Sequence, residues 1–291
     1  MQATCSIPTE QQLQPLGPES LTWRCFGDLR GLLLISRVGL LQNLHPSLAA
    51  GVQDHSDLFL NPWNRLFRSI PPILAVVYGG KQATATGQQI RDWHRQIKGV
   101  NAHGQRYHAL SPELFYWAHA TFFEGQIAMQ AIFGTPLDAA TQERLYQESI
   151  QWYALYGLPM ATVPADYAAF RVYWQGMLDN RLEMTDVARW FLAGNPNLPP
   201  PYPWMRGPLW WVLRPLFDRG ARWLAVGTLP VDLRQRLELP WTAKDQRRLN
   251  GLALVVRNLW KVLPQRWRYF PQAHAAMRRA QPTTSRLATP V

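Results

Sequence analysis

The sequence predicts an all-α fold, and three observations carry that expectation. Apolar residues recur at helical spacing in most long segments, strand signals are almost absent, and Ser, Asp, Asn and Pro stand where helices should begin. At 291 residues with 47% apolar content and 14 Trp, the chain has ample material for one buried core. No internal repeat is evident. The expected organisation is an N-terminal arm over 1–19, one helical domain over 20–279 and a disordered tail over 280–291.

In chain order, Ser20 to Leu44 reads as one long helix weakened by Gly27, Gly31 and Gly39. His45-Pro46 opens a second helix that ends in Asp54-His55-Ser56, and Asn61-Pro62 opens a third. Pro71 and Pro72 are expected to end that third helix, which places Ser69 at a break. From Gly87 to Val100, Ile90, Trp93, His94, Ile97 and Val100 fall in helical register, so His94 is expected to point to the core. Glu113 to Phe133 is apolar over most of its circumference and should be the central helix, with Phe115, His119 and Phe122 on one edge. Further helices are expected over 138–156, 164–178, 184–193, 205–227 and 243–262. The Pro-rich stretch 195–204 reads as a polyproline-like linker or lid.

The net charge of +11 asks for an anionic partner: nucleic acid, a membrane surface or an anionic cofactor. No nucleic-acid motif or run of like charges occurs, so nucleic acid is set aside. Cys5 and Cys25 lack the spacing of a disulfide framework or a zinc site, which fits a reducing compartment. The N-terminal residues show no basic region followed by an apolar run, so a cleaved signal peptide is not expected, and no apolar run is long enough to span a bilayer. The expectation is a cytoplasmic protein, at most peripheral to a membrane, and monomeric or homodimeric.

Two groups of residues could carry chemistry. Arg65, Arg68 and Ser69 form one basic, hydroxyl-bearing cluster, whose ordinary reading is a solvated helix face. His94 is the other, and a lone His on an apolar stripe is ordinarily a hydrogen-bonded core residue. It has no partner at His-x-x-x-His or Glu-x-x-His spacing, so a metal held there suits a porphyrin that brings its own equatorial ligands. His119 could line the pocket or support a ligand, and His55 could face the opposite side. No Gly-x-Ser-x-Gly elbow or phosphate-binding glycine pattern is present. Arg206, Arg214, Arg219 and Arg222, interleaved with Trp210, Trp211, Phe217 and Trp223, suit an anionic membrane surface. The favoured reading of that segment is a core-facing helix with snorkelling arginines.

The succession HPSLAAGV, NPWNRLFRS, IRDWHRQIKGVNAHGQRYHALSPELFYWAHAT and LYQESIQWYALYGLP, closed by TLPVDLRQRLELPW and LPQRWRYFP, resembles the haem-dependent oxygenase family of latex clearing protein (rubber oxygenase) and MpaB-type catalytic domains. It covers about Leu44 to Pro271. The resemblance implies a globin-like core around haem b and the oxygenation or cleavage of an apolar, often isoprenoid or otherwise unsaturated, small molecule by dioxygen. It assigns His94 as the proximal iron ligand, Arg65 to the arginine of the family's Arg-x-x-Lys/Arg-Thr element, Arg68 to its basic residue and Ser69 to its threonine. On this reading Arg65, Arg68 and Ser69 serve catalysis, and His94, Arg65, His55, His119 and Phe122 surround the cofactor. Arginine is a poor iron ligand, so Arg68 in place of lysine implies a distal position that is open or water-bound. The alternative is a non-catalytic haem- or lipid-binding module at an anionic membrane surface.

Overall fold

A computed structural model describes residues 13–280. Residues 1–12 of the expected arm and 281–291 of the expected tail lie outside the described residues. Within it, Leu16 of the arm is buried, and the carbonyl of Gln14 accepts from Gln151 Nε2. The all-α expectation holds.

The segment expected as one helix over 20–44 is three pieces: α1 (Leu21–Phe26), a 3₁₀ turn (Leu29–Leu34) and α2 (Ile35–Asn43). Gly27 ends α1 because the chain passes so close to Tyr78 and Ala273 that a Cβ would lie 2.3 Å from the Tyr78 hydroxyl and 2.5 Å from Ala273 Cβ. Asp28 then accepts from Arg30 N and starts the 3₁₀ turn. His45 caps α3 (Pro46–His55) by accepting from Ser47 N, and Asn61 caps α4 (Pro62–Tyr78).

Helix α4 runs through Pro71 and Pro72, so the break expected at Ser69 does not occur. The carbonyls of Phe67 and Arg68, four residues earlier, lose their partners, but those residues lie in the most exposed turn of the helix and water replaces the donors. Burial of Leu74, Val76, Val77 and Tyr78 holds the distal half. A 3₁₀ turn (Gly80–Gln82) leads into α5 (Ala83–Trp93).

The helix expected over 87–100 therefore stops one residue before His94. Its last residues form a hairpin instead, β1 (Lys98–Val100) antiparallel to β2 (Arg106–His108). Asn101 closes the turn by accepting from the backbone N–H of His103 and Gln105, and Tyr107 ties the hairpin to α3 through Asp54 at 2.8 Å.

The expected helices follow within a few residues as α6 (Pro112–Phe133), α7 (Ala139–Ala154), α8 (Tyr167–Asn180), α9 (Asp186–Ala193) and α10 (Pro208–Thr228), then, after α11 (Val231–Arg236), which the sequence pattern does not predict, α12 (Ala243–Val262); α13 (Gln265–Arg268) and α14 (Pro271–Ala280) are likewise not predicted by it. Asp138, Asp166, Thr185 and Thr242 cap their helices through side-chain oxygens.

Helix α6 is buried on several sides, against α2, α7, α12 and the first 3₁₀ turn. Trp117, Phe123 and Phe133 are fully buried, and Phe123 meets Tyr146 and Phe170 edge to face at 5.2 and 4.8 Å. Arg37 of α2 is buried against it, with Nη1 on Glu124 at 2.5 Å and Nε donating to the carbonyl of Thr228 at 2.7 Å. One side chain thus joins α2, α6 and α10. The N-terminal half of α10 does not face the core as expected: Trp210 is buried and Trp223 half-buried, but Leu209, Trp211, Val212, Leu216 and Phe217 are exposed.

Replacing Arg37 with Met leaves Glu124 and the Thr228 carbonyl unpaired. It should lower the unfolding free energy by about 3 kcal/mol, the lower end for breaking a buried pair because Glu124 keeps some water contact. Adding Glu124→Gln should recover part of that loss, read from denaturant midpoints. His119, packed in the core, has its pKa pushed down to about 3 by burial. A depressed folded-state pKa gives stability that is present above about pH 6.5, the unfolded value, and is lost as pH falls toward 3. Melting temperature should therefore decline on acidification below pH 6.5, with a shallower slope in His119→Phe.

Candidate functional site

Helices α4 and α5 form an antiparallel hairpin whose arms are nearly equal. At 1.5 Å per residue, Arg65 lies about 20 Å from the turn on one arm and His94 about 17 Å from it on the other. The hairpin therefore carries both to the same end, close enough for the Arg65 charge to act on the imidazole.

His94 caps α5 and is half-buried. Its Nδ1 lies 2.7 Å from the carbonyl of Ile90, and a carbonyl can only accept, so Nδ1 carries the proton. Nε2 is then the lone-pair nitrogen, and it has no hydrogen-bond partner among the described residues. Burial lowers the His94 pKa and the Arg65 guanidinium lowers it further, against an upward pull from the Ile90 hydrogen bond. Both effects favour the neutral ring. Phe115 of α6 stands edge-on to it at 5.7 Å.

Arg65 is half-buried and donates from Nη1 to Ser56 Oγ at 2.8 Å. Burial lowers its pKa and Asp57 opposes that, so it remains a cation. Ser69 lies one turn beyond Arg65 on the same side of α4, whereas Arg68 projects about 60° away around the helix. Both Arg68 and Ser69 are exposed, and their side chains make no hydrogen bond among the described residues. His55 is exposed, with Nε2 3.1 Å from the carbonyl of Lys98, so the end of α3 brings Ser56 rather than His55 to Arg65.

An apolar cleft opens beside this cluster. Phe26, Val38, Ile70, Ile73, Phe122 and Gln126 are among its walls. Ile70 follows Ser69 on α4, and Phe122 lies two turns along α6 from Phe115, so the same two helices carry the cleft wall and the residues around His94, while His94 itself does not line the cleft. His119 is not in its wall. That ring sits among Tyr116, Trp152, Tyr153 and Tyr156, with Nε2 at 2.9 Å from Ser149 Oγ.

The Pro-rich stretch 195–204 lies across the N-terminal half of α4. Trp63 Nε1 donates to the carbonyl of Pro199 at 2.6 Å, and Tyr202 stacks on Phe67 at 5.5 Å. This strap borders the turn that carries Arg65 and Arg68.

The donor set is informative. No group of three His, Cys, Asp or Glu side chains able to hold a bare ion exists among the described residues. A metal at His94 would need ligands that the chain does not supply, and a neutral imidazole with a free Nε2 beside a cation and an apolar wall fits a prosthetic group that brings them. Sequence reasoning missed the Ile90 carbonyl, Ser56 and Gln126. The first was visible four residues before His94 in the helical register; the other two meet the site only through tertiary packing.

The chain matches, over residues 23–258, the family described as ER-bound oxygenase mpaB/B'/rubber oxygenase, catalytic domain. Uncharacterised proteins of Mycobacterium bovis and Mycobacterium tuberculosis are each 24% identical to it over 241 residues, which is 81% of this chain and 91% of theirs. No solved structure matches significantly. With the matched span covering well over half of its length, the chain belongs to the family of mpaB and rubber oxygenase catalytic domains.

Proposed function

We propose that the protein is a haem b-dependent oxygenase acting on an apolar small molecule. The observation that carries this reading is the His94 ring, held by Ile90 in the tautomer that leaves Nε2 free to bind iron. Haem bound there supplies the activation of dioxygen. His94 holds the iron, and the Ile90 carbonyl fixes the ring's rotation and keeps its proton on Nδ1. Arg65 offers a fixed cation to propionate or to negative charge arising during oxygen chemistry, and Ser56 orients it. Ser69 presents a hydroxyl on the same side of α4. Arg68, exposed and permanently charged, would not serve as an iron ligand. The apolar cleft takes the substrate and excludes water from it.

His94→Ala should abolish the Soret band of protein reconstituted with haem while far-UV circular dichroism stays helical, and added imidazole should restore part of the band. Stoichiometric haem in the variant refutes the assignment.

A second observation favours peripheral contact with an anionic bilayer. Residues 206–280 hold fifteen Lys and Arg against four Asp and Glu, whereas 1–205 hold fourteen against fifteen. The excess positive charge thus resides in the part of the chain that also exposes Trp211 (72%), Val212 (66%) and Leu216 on α10 and Leu254, Val255 and Val262 on α12. Arg214 lies over the Trp211 ring at 5.2 Å, an arrangement suited to a headgroup boundary. Like charge disfavours a second copy on this face. No helix among the described residues is long and apolar enough to cross a membrane, so the contact is superficial. The protein should co-sediment with phosphatidylglycerol vesicles at low salt and not with phosphatidylcholine vesicles, and Trp211→Glu with Leu216→Glu should release it. Equal behaviour of the variant, or concentration-dependent dimerisation through this face, excludes the bilayer.

A further inference from the structure

The apolar cleft contains one polar side chain with nothing to bond. Gln126 of α6 lines it and is 4% exposed, and neither its Oε1 nor its Nε2 has a hydrogen-bond partner among the described residues. Other buried polar atoms lack partners too, such as Trp117 Nε1, His119 Nδ1 and Tyr153 Oη, but none of those residues borders the cleft. The remaining walls are apolar or glycine, except Cys25. That thiol accepts from Gln130 Nε2 at 3.6 Å, and burial raises its pKa to about 11, so it is neutral and already engaged.

An unpaired buried amide group costs about 1–3 kcal/mol, and Gln126 carries both a donor and an acceptor in this state. Such a site gains most from a ligand that satisfies them. A pure hydrocarbon cannot, and it would seal the amide from water without replacing the lost bonds.

We propose that Gln126 selects the ligand of the cleft: a molecule with an apolar body and one hydroxyl or carbonyl group, bound through the Gln126 amide, in preference to an unfunctionalised hydrocarbon. This rests on reading the cleft as the substrate pocket of the proposed oxygenase, though ligand uptake itself needs no cofactor. A hydroxyl suits the amide best, because it donates to Oε1 and accepts from Nε2. The ligand's apolar remainder would lie against Phe26, Val38, Ile70, Ile73 and Phe122.

The test measures uptake of geraniol and of myrcene, an alcohol and a hydrocarbon with the same number of carbons, by headspace partition over solutions of the full-length protein. The ratio of geraniol to myrcene affinity should fall about tenfold in Gln126→Met, an unbranched replacement of similar length. The melting temperature of the variant should equal or exceed that of the parent, because an unsatisfied buried amide has been removed. An unchanged ratio overturns the proposal, as does failure of the parent protein to take up either compound. A melting temperature several degrees lower also overturns it, since the amide would then have a structural partner. His94→Ala separates this from the haem reading: it should keep the geraniol preference, because His94 does not border the cleft, and haem retained in that variant would sink the cofactor assignment alone.

Discussion

Helix α6 is apolar on nearly every side, and that demand for cover organises the molecule. A helix that buries Leu114, Trp117, Ala120, Phe123, Met129 and Phe133 must be surrounded, and α2, α7, α12 and the first 3₁₀ turn supply the walls. The fit is set by large rings, Phe123 with Tyr146 and Phe170, and Trp117 with Trp174. Where the cover is incomplete the cleft remains, and α6 presents Phe122, Gly125, Gln126 and Met129 there. Pocket and core are thus two consequences of the same helix.

The α4–α5 hairpin adds the chemistry. Its turn is short and its arms nearly equal, so Arg65 and His94 meet at the end far from the turn although 29 residues separate them in sequence. Stopping α5 at Trp93 turns the His94 ring back to the Ile90 carbonyl, which a residue in mid-helix would offer to its own backbone ladder. The imidazole is thereby held in one orientation, with Nδ1 on the Ile90 carbonyl. Belonging to the mpaB and rubber oxygenase family supplies the reaction class.

The outer surface is divided by charge. The first 205 residues are nearly neutral, and the basic excess lies on the helices that follow the Pro-rich strap, beside exposed Trp, Leu and Val side chains. The strap itself packs on α4 through Trp63 and Phe67, and Phe217 of α10 meets Trp63 edge to face at 5.3 Å, so ring contacts join α10, the strap and the turn of α4 that carries Arg65.

Much of the fold was legible in the sequence because its determinants are local. The 3.6-residue period marked the long helices, and Asn61 and Asp138 marked starts that their side chains do cap. His94 and Arg65 stood out by type and spacing. Tertiary structure decided the rest. Packing of Leu74 to Tyr78 carried α4 through two prolines, and a close approach to Tyr78 and Ala273 cut the 20–44 segment at Gly27. Pairing of β1 with β2 took Lys98 to Val100 away from α5. The ion pair of Arg37 with Glu124, the Ser56 support of Arg65 and the stranded amide of Gln126 join residues far apart in sequence or depend on what fails to reach them. Such contacts follow from how helices stack, which no local pattern encodes.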